Sequence, residues 1–142
     1  MVILSKDWLR LRIGKLGIHD LPPGYYVYVG SALAGLHGRV RHHLKSEKRL
    51  HWHIDYLLQQ ATVAQIWYAL GEDRYECKWN GILAELPGAV PIVPGFGSSD
   101  CQCYSHLTHF LTTPSLGGFR QKLKQSHLPR VCRLNKMAFC VS

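Results

Sequence analysis

Apolar side chains recur along this chain with two different periods, and the change of period orders the elements. Residues 2 to 4 are apolar throughout. Residues 9 to 13 set Leu9, Leu11 and Ile13 between Arg10 and Arg12, an alternation of period two. Together they predict two amphipathic strands joined by a tight turn near Ser5 to Asp7. Asp20 and the Pro22-Pro23 pair, between Gly17 and Gly24, mark a loop. The aromatic and β-branched run Tyr25 to Val29 then predicts a third strand, closed by Gly30. Alternation places Tyr26 and Tyr28 on one face and Tyr25, Val27 and Val29 on the other.

After Gly30 the period becomes helical. A helix is expected from about Leu36 to Glu47, with Arg39, His42 and His43 at i, i+3 and i+4 on one face. A second opens at His51 and ends near Gln60. Thr62 to Leu70, rich in β-branched and aromatic residues, predicts a strand. Asp73 can cap a further helix that Pro87-Gly88 stops after Leu86. On that helix Trp79, Ile82, Leu83 and Leu86 form an apolar stripe. Glu76 stands one turn before Trp79 at its edge, Asn80 follows at i+4 and could hold it, and Glu85 is offset outward. A short helix is expected at His106 to Leu111. The fold class is therefore α+β: a small antiparallel sheet of three to four strands with flanking helices. Residues 1–113 make one domain and residues 114–142 a basic tail, partly disordered.

The chain has 142 residues, enough for one domain with a buried core, and no apolar run approaches the roughly 18–20 residues of a membrane span. The first residues lack the pattern of a secretory signal, so the expected compartment is the cytoplasm. Lys and Arg exceed Asp and Glu by 17 to 9, giving a net charge of +8. The excess is clustered. Residues 37 to 53 hold Arg39, Arg41, Lys45, Lys48 and Arg49 against Glu47 alone, and no acid follows Asp100. Such clustering is the electrostatic footprint expected of a polyanion partner, here DNA. Neither basic region has an apolar face opposite its charge, which argues against a membrane surface.

The order YVG, an arginine on the following helix, a histidine-bearing helix and a later acidic helix resembles the GIY-YIG nuclease superfamily. Within it, the segments GYYVYVGSA, GLHGRVRHHL, HWHIDYLL, ECKWN and VPGFGSSDCQCYSHL resemble one branch of small proteins of unknown function, found alone or joined to DNA-repair glycosylases. The likeness runs from about residue 11 to 111. It implies a metal-dependent endonuclease in which Tyr28 takes the YIG tyrosine's place, Arg39 the arginine's, His43 the neighbouring imidazole's and Glu76 that of the acid holding magnesium or manganese. The superfamily's mechanism uses the tyrosine to orient or deprotonate water and the arginine to stabilise phosphate charge. A further tyrosine normally precedes YIG on an earlier strand. If Val2 to Leu4 is that strand it starts too late to carry one, and Tyr26 must substitute. Arg41, Lys45, Lys48, Arg49 and His51 are the expected DNA contacts. The alternatives are a nucleic-acid-binding module of the same fold without catalysis, and a zinc-stabilised interaction domain.

Two clusters remain. His51 and Asp55, at i and i+4, either pair as imidazole and carboxylate or bond locally while Trp52 and Ile54 fill core, with His53 pointing elsewhere. Five cysteines, an odd number, argue against a disulfide framework in a cytoplasmic chain. Cys101, Cys103 and His106 offer three ligands within six residues, and Cys77 a fourth through space, a set that structural zinc takes or, alternatively, thiols that pack a tight loop. Cys132 and Cys140 are expected to be free. The glycines of Pro94 to Asp100 lack the lysine and the strand-to-helix setting of a P-loop, so no nucleotide cofactor is expected. They instead permit a chain reversal.

Overall fold

The computed structural model describes residues 1–32, 35–70 and 74–134. Its centre is a five-stranded antiparallel sheet. Strand β1 (Val2–Ser5) pairs with β4 (Gly24–Tyr28), β4 with β8 (Leu107–Phe110), β8 with the short edge strand β7 (Val90–Pro91), and β1 on its other side with β5 (Thr62–Gln65). The aromatic strand is thus central, which is where a run of large apolar side chains on both faces gains most from burial.

Alternation along β4 distributes its side chains as the sequence predicts. Val27 and Val29 join one core with α3 (Glu76–Leu83) and α4 (Leu116–Gln125), where Trp67 and Trp79 pack on Phe119. Tyr26 and Tyr28 join the opposite core with Ile54 and Leu57 of α2 (His53–Leu58), with Leu11 of β2 (Leu9–Arg12), with Leu21 of β3 (Ile18–Leu21) and with Phe96. Helix α1 (Leu36–Leu44) packs Val40 against Val63 and Ile66. The domain is therefore a sheet covered on both faces.

Several expectations change. β2 pairs with β3 in a separate two-stranded sheet rather than with β1, so the loop before Gly24 contains a strand. Residues 62–70 divide at Ile66 into β5 and β6 (Trp67–Tyr68), which pairs with β9 (Cys132–Arg133). Residues 107–110, expected as helix, form β8: all four are buried, lying between two strands with both faces covered, and a short apolar run of that kind carries no period. Residues 114–134 of the basic segment are built into the domain. Ser115 caps α4 by accepting from the Gly118 N–H at 2.9 Å, and Phe119, Leu123 and Val131 are buried in the core. Asp73 and Cys140 lie outside the described residues. No described helix is long and apolar enough to cross a membrane.

Candidate functional site

The end of β4, the start of α3 and the loop between β7 and β8 surround one cleft of about 320 Å³. Tyr28, Arg39, His53, Glu76, Asp100 and His106 are among its lining residues, with Gly30 and Gly97 as backbone. Gly30 has a steric reason to be glycine. A Cβ there would stand 3.1 Å from the Tyr28 hydroxyl and 3.2 Å from its ring, so the phenol folds back over the bare backbone. Burial pushes the Tyr28 phenol up, while the guanidinium of Arg39, hydrogen-bonded to it, pulls the other way.

Arg39 is held from two directions. Its guanidinium lies 3.9 Å over the Trp52 ring, and its Nε donates to His43 Nε2 at 3.2 Å. His43 itself is buried behind Arg39 and is not among the cleft-lining residues. Burial first, and then the Arg39 charge, lower its pKa to about 3, so the ring is neutral at physiological pH. Its Nδ1 has no hydrogen bond and faces Asp55 at 3.9 Å.

Asp55 organises this wall from complete burial. It accepts the backbone N–H groups of His51 and Trp52 at 2.9 Å each, receives His42 Nε2 at 3.1 Å and has Lys48 Nζ at 3.8 Å. Burial alone would raise the carboxyl. The two N–H donors and His42 outweigh it and hold the group below its ordinary range. His42, His43 and Asp55 are close enough to share an ion, but Lys48 already supplies the cation beside Asp55. Of the two readings of His51 and Asp55, the imidazole pair does not form: the helix start turns the His51 backbone, not its ring, toward the carboxylate, and His42 takes the imidazole's place. Lys48 is likewise withdrawn from any DNA contact, with a side chain only 5% exposed and Nζ donating to the carbonyls of His42 and His43. Arg41, Lys45 and Arg49 are exposed, and His51 lines the cleft.

Tyr26 does not reach the cleft. It is fully buried, with its hydroxyl donating to the Pro22 carbonyl and its ring 4.9 Å from that of His109. Its side chain therefore cannot substitute there for a second tyrosine, because strand position alone does not bring two phenols on one face to one point.

On the opposite wall Glu76 begins α3, and its Oε2 is buried with no hydrogen-bond partner. Asn80 does not hold it: the Asn80 amide donates to the Ser105 carbonyl at 2.7 Å, and its own Oδ1 is also unpartnered. Glu85 is exposed and 3.8 Å from Lys122. Beside Glu76, Cys77 comes together with Cys101, Cys103 and His106, whose ligand atoms all lie within 4.8 Å of one another. His106 Nε2 is 3.4 Å from Cys101 Sγ and 3.8 Å from Cys77 Sγ. These four residues could hold a metal ion. The described Cys132 is an exposed free thiol. Sequence reasoning missed His53 as a cleft residue, since it enters from the start of α2 and meets the Gly97 N–H only across the fold, whereas Asp100 arrives by the chain reversal that the glycines were expected to permit.

The chain belongs to the family described as Domain of unknown function DUF123, which matches residues 1–130. No curated protein and no solved structure matches it.

Proposed function

From that membership and the cleft, we propose that the chain is a divalent-metal-dependent endonuclease of the GIY-YIG type that hydrolyses phosphodiester bonds in DNA. The observation that carries this reading is the convergence of Tyr28, Arg39 and Glu76, residues from β4, α1 and α3, on one cleft in which a Glu76 oxygen lacks a protein partner. Carboxylate oxygen suits magnesium or manganese, and Glu76 is the residue that would hold the ion. Bound there, such an ion supplies charge stabilisation to a phosphoryl group. Arg39, fixed by Trp52 and His43, is poised to meet charge that develops on phosphate oxygen without first reorganising. Tyr28, with its pKa raised, keeps its proton at neutral pH and orients a water molecule rather than deprotonating it.

The second metal in this reading is structural zinc at Cys77, Cys101, Cys103 and His106. Zinc bonds of about 2.3 Å to sulfur and 2.0–2.1 Å to nitrogen put tetrahedral sulfur and nitrogen ligands roughly 3.5 Å apart, and the two sulfur–nitrogen separations here are 3.4 and 3.8 Å. Four protein ligands would close the coordination sphere, as structural sites do, leaving none for substrate.

Binding without cleavage is the second reading, and one observation favours it. Among the described residues Tyr28 is the only tyrosine lining the cleft. The test is incubation of the purified chain with duplex, nicked, branched and single-stranded DNA, each with magnesium, manganese or chelator. Metal-dependent scission supports the nuclease. Salt-dependent retention of DNA on a gel without scission supports the binding module. Neither outcome on any DNA overturns both.

A further inference from the structure

His53 is a cleft residue whose chemistry is set by one backbone contact. Gly97 donates its N–H to His53 Nδ1 at 2.8 Å. A backbone N–H has no lone pair to offer, so Nδ1 must be the acceptor, and in the neutral ring the proton then resides on Nε2. Nε2 has no hydrogen-bond partner among the described residues, and the ring lines the cleft with Arg39 and Tyr28. Phe96 packs against the ring at 5.7 Å. Burial lowers the His53 pKa, which favours this neutral form.

The donor Gly97 is equally constrained. Its φ of +64° is a region that side chains rarely adopt, and a Cβ there would stand 2.9 Å from Tyr28 Cε2 and 3.3 Å from His106 Cβ. Only glycine lets the loop come close enough to hold His53 while packing on Tyr28.

We propose that His53, locked by the Gly97 N–H as its Nε2–H tautomer, is a phosphate-binding residue of this cleft, donating Nε2–H to a phosphate oxygen alongside the Arg39 guanidinium. The donor is neutral and cannot act as a base. This deepens the nuclease reading by naming a phosphate contact, and it is separable from it. Phosphate binding can be present where cleavage is absent.

The test uses the full chain labelled with nitrogen-15, with ring proton–nitrogen correlations recorded for His53 at pH 7.5 during titration with inorganic phosphate. DNA cleavage is measured in parallel. The expected spectrum shows a protonated Nε2 and an unprotonated Nδ1, and the Nε2–H resonance moves with phosphate. His53→Ala should weaken phosphate binding and, where the wild type cleaves, lower kcat by about 100-fold, the scale for losing one preorganised donor. His53→Gln, whose amide can reach the Nε2 position, should restore most of both. A ring protonated at Nδ1, an Nε2–H that phosphate leaves unmoved, or a Gln variant no better than Ala would each overturn the proposal. Phosphate-dependent movement in a chain that cuts no DNA would overturn the nuclease reading and leave the phosphate site standing.

Discussion

The two walls of the cleft are built by opposite means. The wall from α1 and α2 satisfies its buried carboxylate. Asp55 is fully buried yet accepts two backbone N–H groups and an imidazole with a lysine alongside, and the neighbouring Trp52 and His43 hold Arg39 in place. The wall from α3 and the loop after β7 leaves groups unsatisfied: Glu76 Oε2 and Asn80 Oδ1 are buried without partners, and three thiols and an imidazole converge. Buried polar atoms normally find partners, because an unmet one costs about 1–3 kcal/mol. The contrast teaches that one wall meets its buried carboxylate with protein donors, whereas the other leaves a carboxylate oxygen unmet beside a Cys/His cluster that could hold a metal, so the two should respond differently to chelators, acid and substitution.

The largest effect is expected from removing metal from the second wall. Stripping a zinc ion from Cys77, Cys101, Cys103 and His106 should lower the thermal midpoint by more than about 10 °C, since binding free energy for structural zinc is on the order of 10 kcal/mol. Cys103→Ser should lower zinc content and midpoint together, read by elemental analysis and calorimetry. Full stability in protein that contains no zinc would erase the contrast. On the first wall a chelator should do nothing directly, but Asp55→Ala should cost about 3–5 kcal/mol in urea unfolding, because Lys48 loses its counter-charge and two backbone donors lose their acceptor in the interior. A cost below about 1 kcal/mol would show that solvent replaces the carboxylate freely.

Acid discriminates the walls more gently. The unfolded chain protonates His43 below about 6.5, whereas folding lowers its pKa to about 3. Between those values the unfolded state binds more protons, so stability falls as pH drops through that window and is level above it. His53, also lowered by burial, adds in the same sense, and Asp55 adds below the ordinary carboxylate range. Urea midpoints from pH 7 to pH 4 should decline less steeply in His43→Gln than in the wild type, and equal slopes would remove His43 from the account. The smallest effect is expected at Gly30→Ala, whose new methyl meets Tyr28 at 3.1–3.3 Å. A displacement of a few tenths of an ångström should lower kcat roughly 10-fold with the fold intact. An unchanged rate would mean that the phenol's position is immaterial.

Much of this is legible in the sequence. The two faces of β4 follow from alternation alone, and Ile82, Leu83 and Leu86 follow from a helical period. The Cys/His cluster was legible because three of its ligands are local in the chain. What was not legible depends on contacts made at a distance. Leu107 to Phe110 has the same apolar content in helix or strand, and only its position between β4 and β7 decides. Lys48 reads as one more surface cation until α2 presents Asp55 to it. Phe119 and Leu123 sit among lysines, so the charge of the tail concealed a helix that completes the core.

The claim most exposed is that Glu76 belongs to the incomplete wall because it serves a cation. Single-turnover cleavage of DNA by Glu76→Gln, measured over a manganese titration beside the wild type, tests it directly. The account predicts a loss of at least about 100-fold that added manganese does not restore, with an unchanged thermal midpoint. Wild-type cleavage by the variant at the same manganese concentration would contradict it.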